Sequence, residues 1–407
     1  MMMKNGRVLF LGVLLTLICI LAPTFCIGAT KLLVWESSGP EEKFIREMGK
    51  IYTQKTGVEI EVFPIDQLSQ GDKLALDGPA GKGADVVVWP HDRIGQSVEQ
   101  GIIWELPESK IKVDDYTESA VDAMRYQGKL YGIPYAMESV ALIYNKDLIP
   151  EVPETFDELI AIAKKINNPK KNKYGFMFDM SDFYFAYGFF GGFGSYVFKE
   201  TANGLDTDDI GLANTGSIKA SQSLKSFRDS GLIPEGTTKD VIDGLFMDGN
   251  LAAQINGPWA YPTYQEAGVN YGIEPLPKLS NGEYPRTFIG VKGYYISAFS
   301  KNKEEALKFI QWLTSKENSF KHYESTSIIP ARDDVIKLPE FQDNKAFKAF
   351  AIQASRGVPM PNVPEMMQVW DPAANALTFI LQGQAPANVV LPLCVEQIKE
   401  NIRMMKQ

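Results

Sequence analysis

The sequence predicts an α/β fold in two lobes, and three observations carry that expectation. Residues 31–88 read in the order β-α-β-α-β, the pattern of parallel strands joined by helical crossovers. The chain is 407 residues long, beyond the size at which one hydrophobic core usually divides. No internal repeat, charge block or low-complexity linker interrupts it, so several chain crossings between lobes fit better than a floppy tether.

Each element follows from its residues. Lys4 and Arg7 precede an apolar run from Val8 to Ala22, and small residues follow around Gly28 and Ala29. That layout predicts a secretory signal peptide over 1–28, with a retained membrane anchor as the alternative. "KLLVW" (31–35) reads as a strand. After the turn signal "SSGP", Phe44, Ile45, Met48, Ile51 and Tyr52 recur with helical spacing up to a Gly57 stop. "VEIEVF" alternates as a strand, a polar segment with weak helical character follows, and "DVVV" (85–88) reads as a strand buried on both faces. Thr155 with Glu158 three residues on forms a capping box before the stripe Leu159, Ala163, Ile166. Strands are expected at 174–178 ("YGFMF") and 251–256 ("LAAQIN"), and a helix at 303–314. The last thirty-odd residues read as helical, with interruptions at Gly383, Pro386 and Pro392.

Composition narrows the function. The formal net charge is −9, and loss of the two cations of the leader takes it to about −11, an acidic balance that argues against a nucleic-acid partner. Cys19 and Cys26 lie in the expected leader, which leaves Cys394 and no intramolecular disulfide in the mature chain. Cys26 as a lipid-modified first residue is the weaker alternative to simple cleavage, because Pro23 and Phe25 stand where a lipoprotein usually has Leu and a small residue. His91 and His322 are far apart and lack metal-ligand spacing, so neither a metal nor any other cofactor is expected. His91 reads equally as a ligand-facing donor or a structural ring. "GPAGKGAD" lacks the spacing of a phosphate loop, "GFFGGFGSY" fits neither glycine-rich template, and Ile210 and Ser217 spoil "DTDDIG" as a calcium loop.

What survives is a set of carboxylates beside aromatics. Asp92 accompanies Trp89, Asp182 accompanies Tyr184, and Glu138 lies in "PYAMES". In an open sheet, ligands bind beyond the carboxyl ends of the strands, so the tip "WPHDR" and the residues Glu36, Ser37 and Ser38 after the first strand should line one crevice. Paired carboxylates leave a glycosidase open. A receptor uses the same groups without catalysis, with carboxylates accepting from and arginine donating to sugar hydroxyls.

Over essentially its whole mature length the chain resembles the maltose- and maltodextrin-binding proteins among the family 1 extracellular solute-binding proteins of ABC transporters, especially those of thermophilic bacteria. The matching stretches include "GADVVVWPHDRIG", "GKLYGIPYAMESVALIYNKDLIP", "SDFYFAYGFFGGFGSYVFK", "INGPWA", "GVKGYYISAFSKNKEEALKFIQWL" and "MPNVPEMMQVW". The resemblance implies a type II periplasmic-binding-protein-like fold, each lobe a mainly parallel sheet flanked by helices, with the ligand cleft between. It implies an N-terminal lobe of 29–137 and 292–340 and a C-terminal lobe of 138–291 and 341–407.

Carried over by position, Trp89, Tyr184, Trp259 and Trp370 would be stacking platforms. Asp92, Arg93, Glu138 and Asp182 would bind hydroxyls, with Asp182 standing where the pattern has Glu. Glu36, Ser37 and Ser38 replace an expected Asp-Lys pair, and Ala374 replaces an expected arginine, which bears on glycan identity or length. Trp35, Trp104 and Trp312 sit in apolar patterns and read as core. The implied function is the exported, monomeric binding component of a sugar importer, with maltose or maltodextrin and the membrane permease subunits as partners and no enzymatic activity. A receptor for another oligosaccharide such as trehalose, or a secreted glycoside hydrolase, are the alternatives.

Overall fold

The structure is a computed structural model that describes residues 30–202 and 204–407. The expected signal peptide over 1–28, with Cys19 and Cys26, lies outside the described residues.

The chain opens as its hydrophobic pattern dictates. Strand β1 (Lys31–Glu36) leads into helix α1 (Pro40–Thr56), which buries Phe44, Ile45, Met48 and Tyr52 and ends at Gly57 with φ 77°, a left-handed conformation that glycine adopts without strain. Strand β2 (Glu59–Pro64), helix α2 (Gln70–Asp77) and strand β3 (Val86–Pro90) follow. Both pairings of β1, with β2 and with β3, are parallel, and every residue of β3 is buried. The two faces covered by helices explain the continuous valines.

Beyond that unit the sheet changes direction. Strand β4 (Gly132–Glu138) crosses toward the second lobe, where β5 (Ala141–Asn145) is its next strand. Helix α3 (Phe156–Ile166) carries the complete capping box: Thr155 Oγ1 accepts the Glu158 N–H at 3.2 Å, and the Glu158 carboxylate accepts the Thr155 N–H. Helix α4 (Phe183–Gly192) is almost wholly buried. Strands β6 (Ala253–Asn256) and β7 (Tyr271–Glu274) flank β5, both antiparallel to it. The chain returns on β8 (Phe288–Ile296), which pairs antiparallel with both β3 and β4. Helices α5 (Lys303–Leu313) and α6 (Lys316–Thr326) and the short β9 (Ile329–Pro330) complete the first lobe's sheet in the order β9-β4-β8-β3-β1-β2. Helices α7 (Trp370–Leu381) and α8 (Ala387–Met405) end the chain.

The α/β, two-lobed plan therefore stands, but the sheets are less parallel than expected. The β1–β2–β3 unit is built from helical crossovers, whereas β4 and β8 are antiparallel because they are the outward and return passages of the chain between lobes. Two separate cores result. One gathers Leu32, Val86–Trp89, Tyr294, Tyr295 and Phe309; the other gathers Leu142, Phe176, Phe189, Phe246, Met366 and Ile398.

Two local expectations change. Residues 175–178 are buried and Tyr174 partly so, but they make only isolated parallel bridges, Tyr174 to Leu251 and Met177 to Gln254, and form no continuous strand. Pro392 lies inside α8 without breaking it: the proline is on the exposed face, and the Asn388 carbonyl it cannot bond is on an exposed residue, where water can serve it. Among the described residues, no helix is long and apolar enough to cross a membrane.

Candidate functional site

The tip of β3 is where the lobes meet. After Pro90 the chain makes a single 3-10 turn, His91–Arg93. His91 is buried, accepts the Val291 N–H on Nδ1 at 3.1 Å and lies 2.9 Å from the Met360 carbonyl through Nε2. The first bond fixes the tautomer, so Nε2 carries the proton and donates. Burial lowers its pKa to about 4, against the partial restoring effect of these two bonds, so the ring is neutral. It clips the β3 tip to the return strand and to the 358–362 crossing; of the two readings, the structure supports the structural ring.

Asp92 is buried, and the Trp370 indole of the second lobe donates Nε1–H to its Oδ2 at 3.2 Å. Burial pushes the Asp92 carboxyl up to about 6, against the lowering effects of Arg93 and the Trp370 bond. Asp92 Oδ1 and Arg93 Nε have no hydrogen-bond partner. Tyr184, at the start of α4, lies 6.3 Å centroid to centroid from Trp259, and its buried hydroxyl is also unpartnered. Burial holds the phenol pKa well above 10, and the negative charges of Glu138, Asp182 and Asp92 add to that rise, which places carboxylates of both lobes around one hydroxyl. Glu138 ends β4 and pairs with Lys292 of β8 at 3.1 Å.

Glu36 is 1% exposed at the end of β1; its Oε1 accepts the Ser37 N–H at 2.8 Å, while Oε2 has no partner. Ser37 Oγ is engaged by the Gln67 N–H, which ties the loops after β1 and β2, and Ser38 is exposed. Asp182 is exposed and spends one oxygen on capping α4 through the Tyr184 N–H at 2.8 Å. Trp259 and Trp370 are half-buried, packed on the second core with ring surface to spare.

Trp89 departs from expectation. It is 0% exposed, and its ring stacks on Tyr295 at 4.9 Å with 17° between planes. Strand alternation is the reason: Trp89 stands opposite Gly293 of β8, on the sheet face of Tyr295 and away from that of Val88, Lys292 and Tyr294. The indole belongs to the first core, not to a platform, and only its unpartnered Nε1 keeps polar capacity. Trp35 is core as expected, while Trp104 and Trp312 pack against the same core partly buried. Sequence reasoning missed Lys292, although a single charge inside the nine-residue apolar strand "FIGVKGYYI" is itself a signal. A cavity of about 550 Å³ is lined by His91, Ser119, Tyr187, Arg286 and Met360 but by none of the expected platforms, carboxylates or Arg93.

Asp92 thus meets Trp370, Tyr184 meets Trp259, and Lys292 links Glu138 to Trp259, with Arg93 next to Asp92 and Glu36 near Lys292. The family of bacterial extracellular solute-binding proteins matches residues 47–349. The chain belongs to that family. This solute-binding protein is 35% identical over 381 residues to a galactooligosaccharide-binding protein of Bacillus subtilis, covering 92% of this chain and 90% of the relative. It is also 35% identical to a maltooligosaccharide ABC transporter solute-binding lipoprotein of Streptococcus pneumoniae, covering 89% and 86%. Among solved structures, a cyclo/maltodextrin-binding protein in complex with maltotetraose matches with a TM-score of 0.80 and 42% identity, covering 93% of this chain and 99% of that one.

Proposed function

We propose that this solute-binding protein is the extracytoplasmic component of an ABC sugar importer and that its ligand is a maltose- or maltodextrin-type α-glucan. One observation carries the reading. Of twelve buried side-chain polar atoms without a partner among the described residues, four belong to expected site residues that the structure keeps outside the core: Glu36, Asp92, Arg93 and Tyr184. Unpaired buried polar groups are costly in a folded protein, and their concentration beside half-buried indoles fits a ligand rich in hydroxyls with an apolar ring face.

The energetics suffice. Each platform contributes roughly 0.5–1.5 kcal/mol if aromatic pairs are a guide. Hydrogen bonds to charged groups add about 1.5–3 kcal/mol each. After association costs, a few such contacts reach the ~8 kcal/mol of a micromolar complex. A glucan that touches Asp92 and Arg93 on one side and Tyr184, Trp259 and Trp370 on the other favours the closed arrangement by its differential affinity. The lobes in this reading are 29–137 with 292–340, and 138–291 with 341–407. The mature protein is a monomer outside the cytoplasmic membrane, released by cleavage near Gly28 or held by lipid on Cys26, with the importer's permease subunits as its partners.

The galactooligosaccharide relative makes a second ligand class worth measuring. Titration calorimetry with maltose, maltotetraose, trehalose and a β-galactooligosaccharide ranks them. Maltotetraose should bind at micromolar strength or better, and Trp259→Ala should weaken it by about tenfold, the size of one stacking contact. Tight binding of the galactoside alone would replace the glucan, and binding of no sugar would overturn the reading. Prolonged incubation should leave the maltotetraose intact, as expected of a binding protein.

A further inference from the structure

The return strand β8 carries the one charge of its nine residues, Lys292, into the cleft. The side chain is 8% exposed, yet among the described residues it bonds one carboxylate, Glu138 at 3.1 Å. An ammonium has three N–H donors, so two remain without a partner among the described residues. Lys292 stands opposite Pro90 of β3 in an unbroken register, on the sheet face of Val88 and Tyr294, while the pairing with β4 skips Tyr135 beside it. On the opposite face Gly293 leaves room for Met124, whose sulfur would lie 2.4 Å from a Cβ there. The ammonium ends 6.0 Å from the centroid of the Trp259 ring, at the outer edge of cation–π range, so it faces the indole without covering it closely.

The surroundings keep the group charged. Burial alone would lower the Lys292 pKa, but Glu138, Glu41 and Glu36 together outweigh it and leave the pKa above its ordinary value. His322, on α6, is neutral: burial, with Lys292 adding to it, lowers its pKa to about 3. Two carboxylate-bearing strands and the first turn of α1 thus surround one ammonium that they do not saturate. A fully buried cation without further partners is expensive, and a sugar hydroxyl is a suitable acceptor.

We propose that Lys292 is a direct sugar contact, its ammonium anchored by Glu138 and donating to a hydroxyl on the edge of the glucosyl unit that stacks on Trp259. The assignment rests on the sugar-binding reading above and adds a binding residue to it. Sequence position gives it specificity: an acceptor oxygen must project from the stacked ring toward β8, and a ring lacking that hydroxyl leaves the ammonium half-paired.

The test is a double-mutant cycle on the full mature chain with maltotetraose as the probe, read by titration calorimetry. Lys292→Met, of similar length and no charge, should weaken binding roughly ten- to hundredfold, the range for a hydrogen bond to a charged group. Most of that loss should persist when Glu138 is already Gln, because the lost contact is to the sugar. Should Lys292→Met bind as the wild type does, or should its effect vanish in the Glu138→Gln background, Lys292 only positions Glu138 and the proposal fails. Lys292→Gln serves the same cycle if the methionine variant does not fold, with the same expected loss. Failure of the wild type to bind maltotetraose would instead overturn the sugar-binding reading, a distinct result.

Discussion

Replacing Glu36 by Gln should make the protein more stable than the wild type, and increasingly so as the pH rises. The carboxyl is 1% exposed, with one oxygen bonded to the Ser37 N–H and the other unpartnered. Burial raises its pKa from 4.5 to about 8; the Ser37 bond and Lys292 lower it, while Glu41 and Glu42 raise it further. The folded state therefore holds a proton that the unfolded chain releases near pH 4.5. The stability this proton contributes is fully present below the unfolded pKa and is lost as pH rises through the folded one. At 1.36 kcal/mol per pKa unit, the loss is about 3 kcal/mol by pH 7 and about 5 kcal/mol above pH 8. Gln carries an oxygen for the Ser37 N–H and an amide donor where the protonated acid has its O–H, and it does not titrate.

Thermal melts of both proteins at pH 5, 7 and 8.5 read the difference. His91 and His322, with pKa values lowered by burial to about 4 and 3, add stability as pH rises toward 6.5, and Asp92 behaves like Glu36 with its pKa of about 6. These groups are common to both proteins and cancel in the comparison. The melting temperature of Glu36→Gln relative to wild type should climb by several degrees from pH 5 to 8.5. A difference that stays within about 1 °C over this range would refute the assigned protonation of Glu36.

Two further outcomes follow from packing. Trp89→Ala removes a fully buried indole stacked on Tyr295 and should cost about 3–5 kcal/mol of stability in chemical denaturation; an unmoved transition would return Trp89 to the cleft surface. Thr155→Ala breaks the reciprocal cap of α3 and should cost about 1 kcal/mol, visible as a lower urea midpoint for the second lobe, with maltotetraose affinity unchanged.

Much of this molecule was legible from local rules. The helical stripe and glycine stop of α1, the buried valines of β3 and the capping box of α3 are short-range chemistry: periodicity, backbone freedom and a three-residue hydrogen bond. The residues proposed for the site were legible as candidates too, because Asp92, Arg93, Glu138, Tyr184, Trp259 and Trp370 stand in recognisable motifs. What the residues alone did not settle was which of two faces each side chain joins. Trp89 and Lys292 differ in that respect only through their register on β8. The pairing of Trp89 with Gly293 sends the indole into a core, and the pairing of Lys292 with Pro90 puts its ammonium on the other face of the sheet. Both depend on contact between segments some two hundred residues apart in the chain, and sequence pattern reports alternation along a strand without naming the partner that covers each side. Likewise the bond between Trp370 and Asp92 joins positions 278 residues apart and exists because the chain crosses between lobes. Composition and local spacing determined the pieces and their chemistry; tertiary register decided which aromatic became core and which cation faces the cleft.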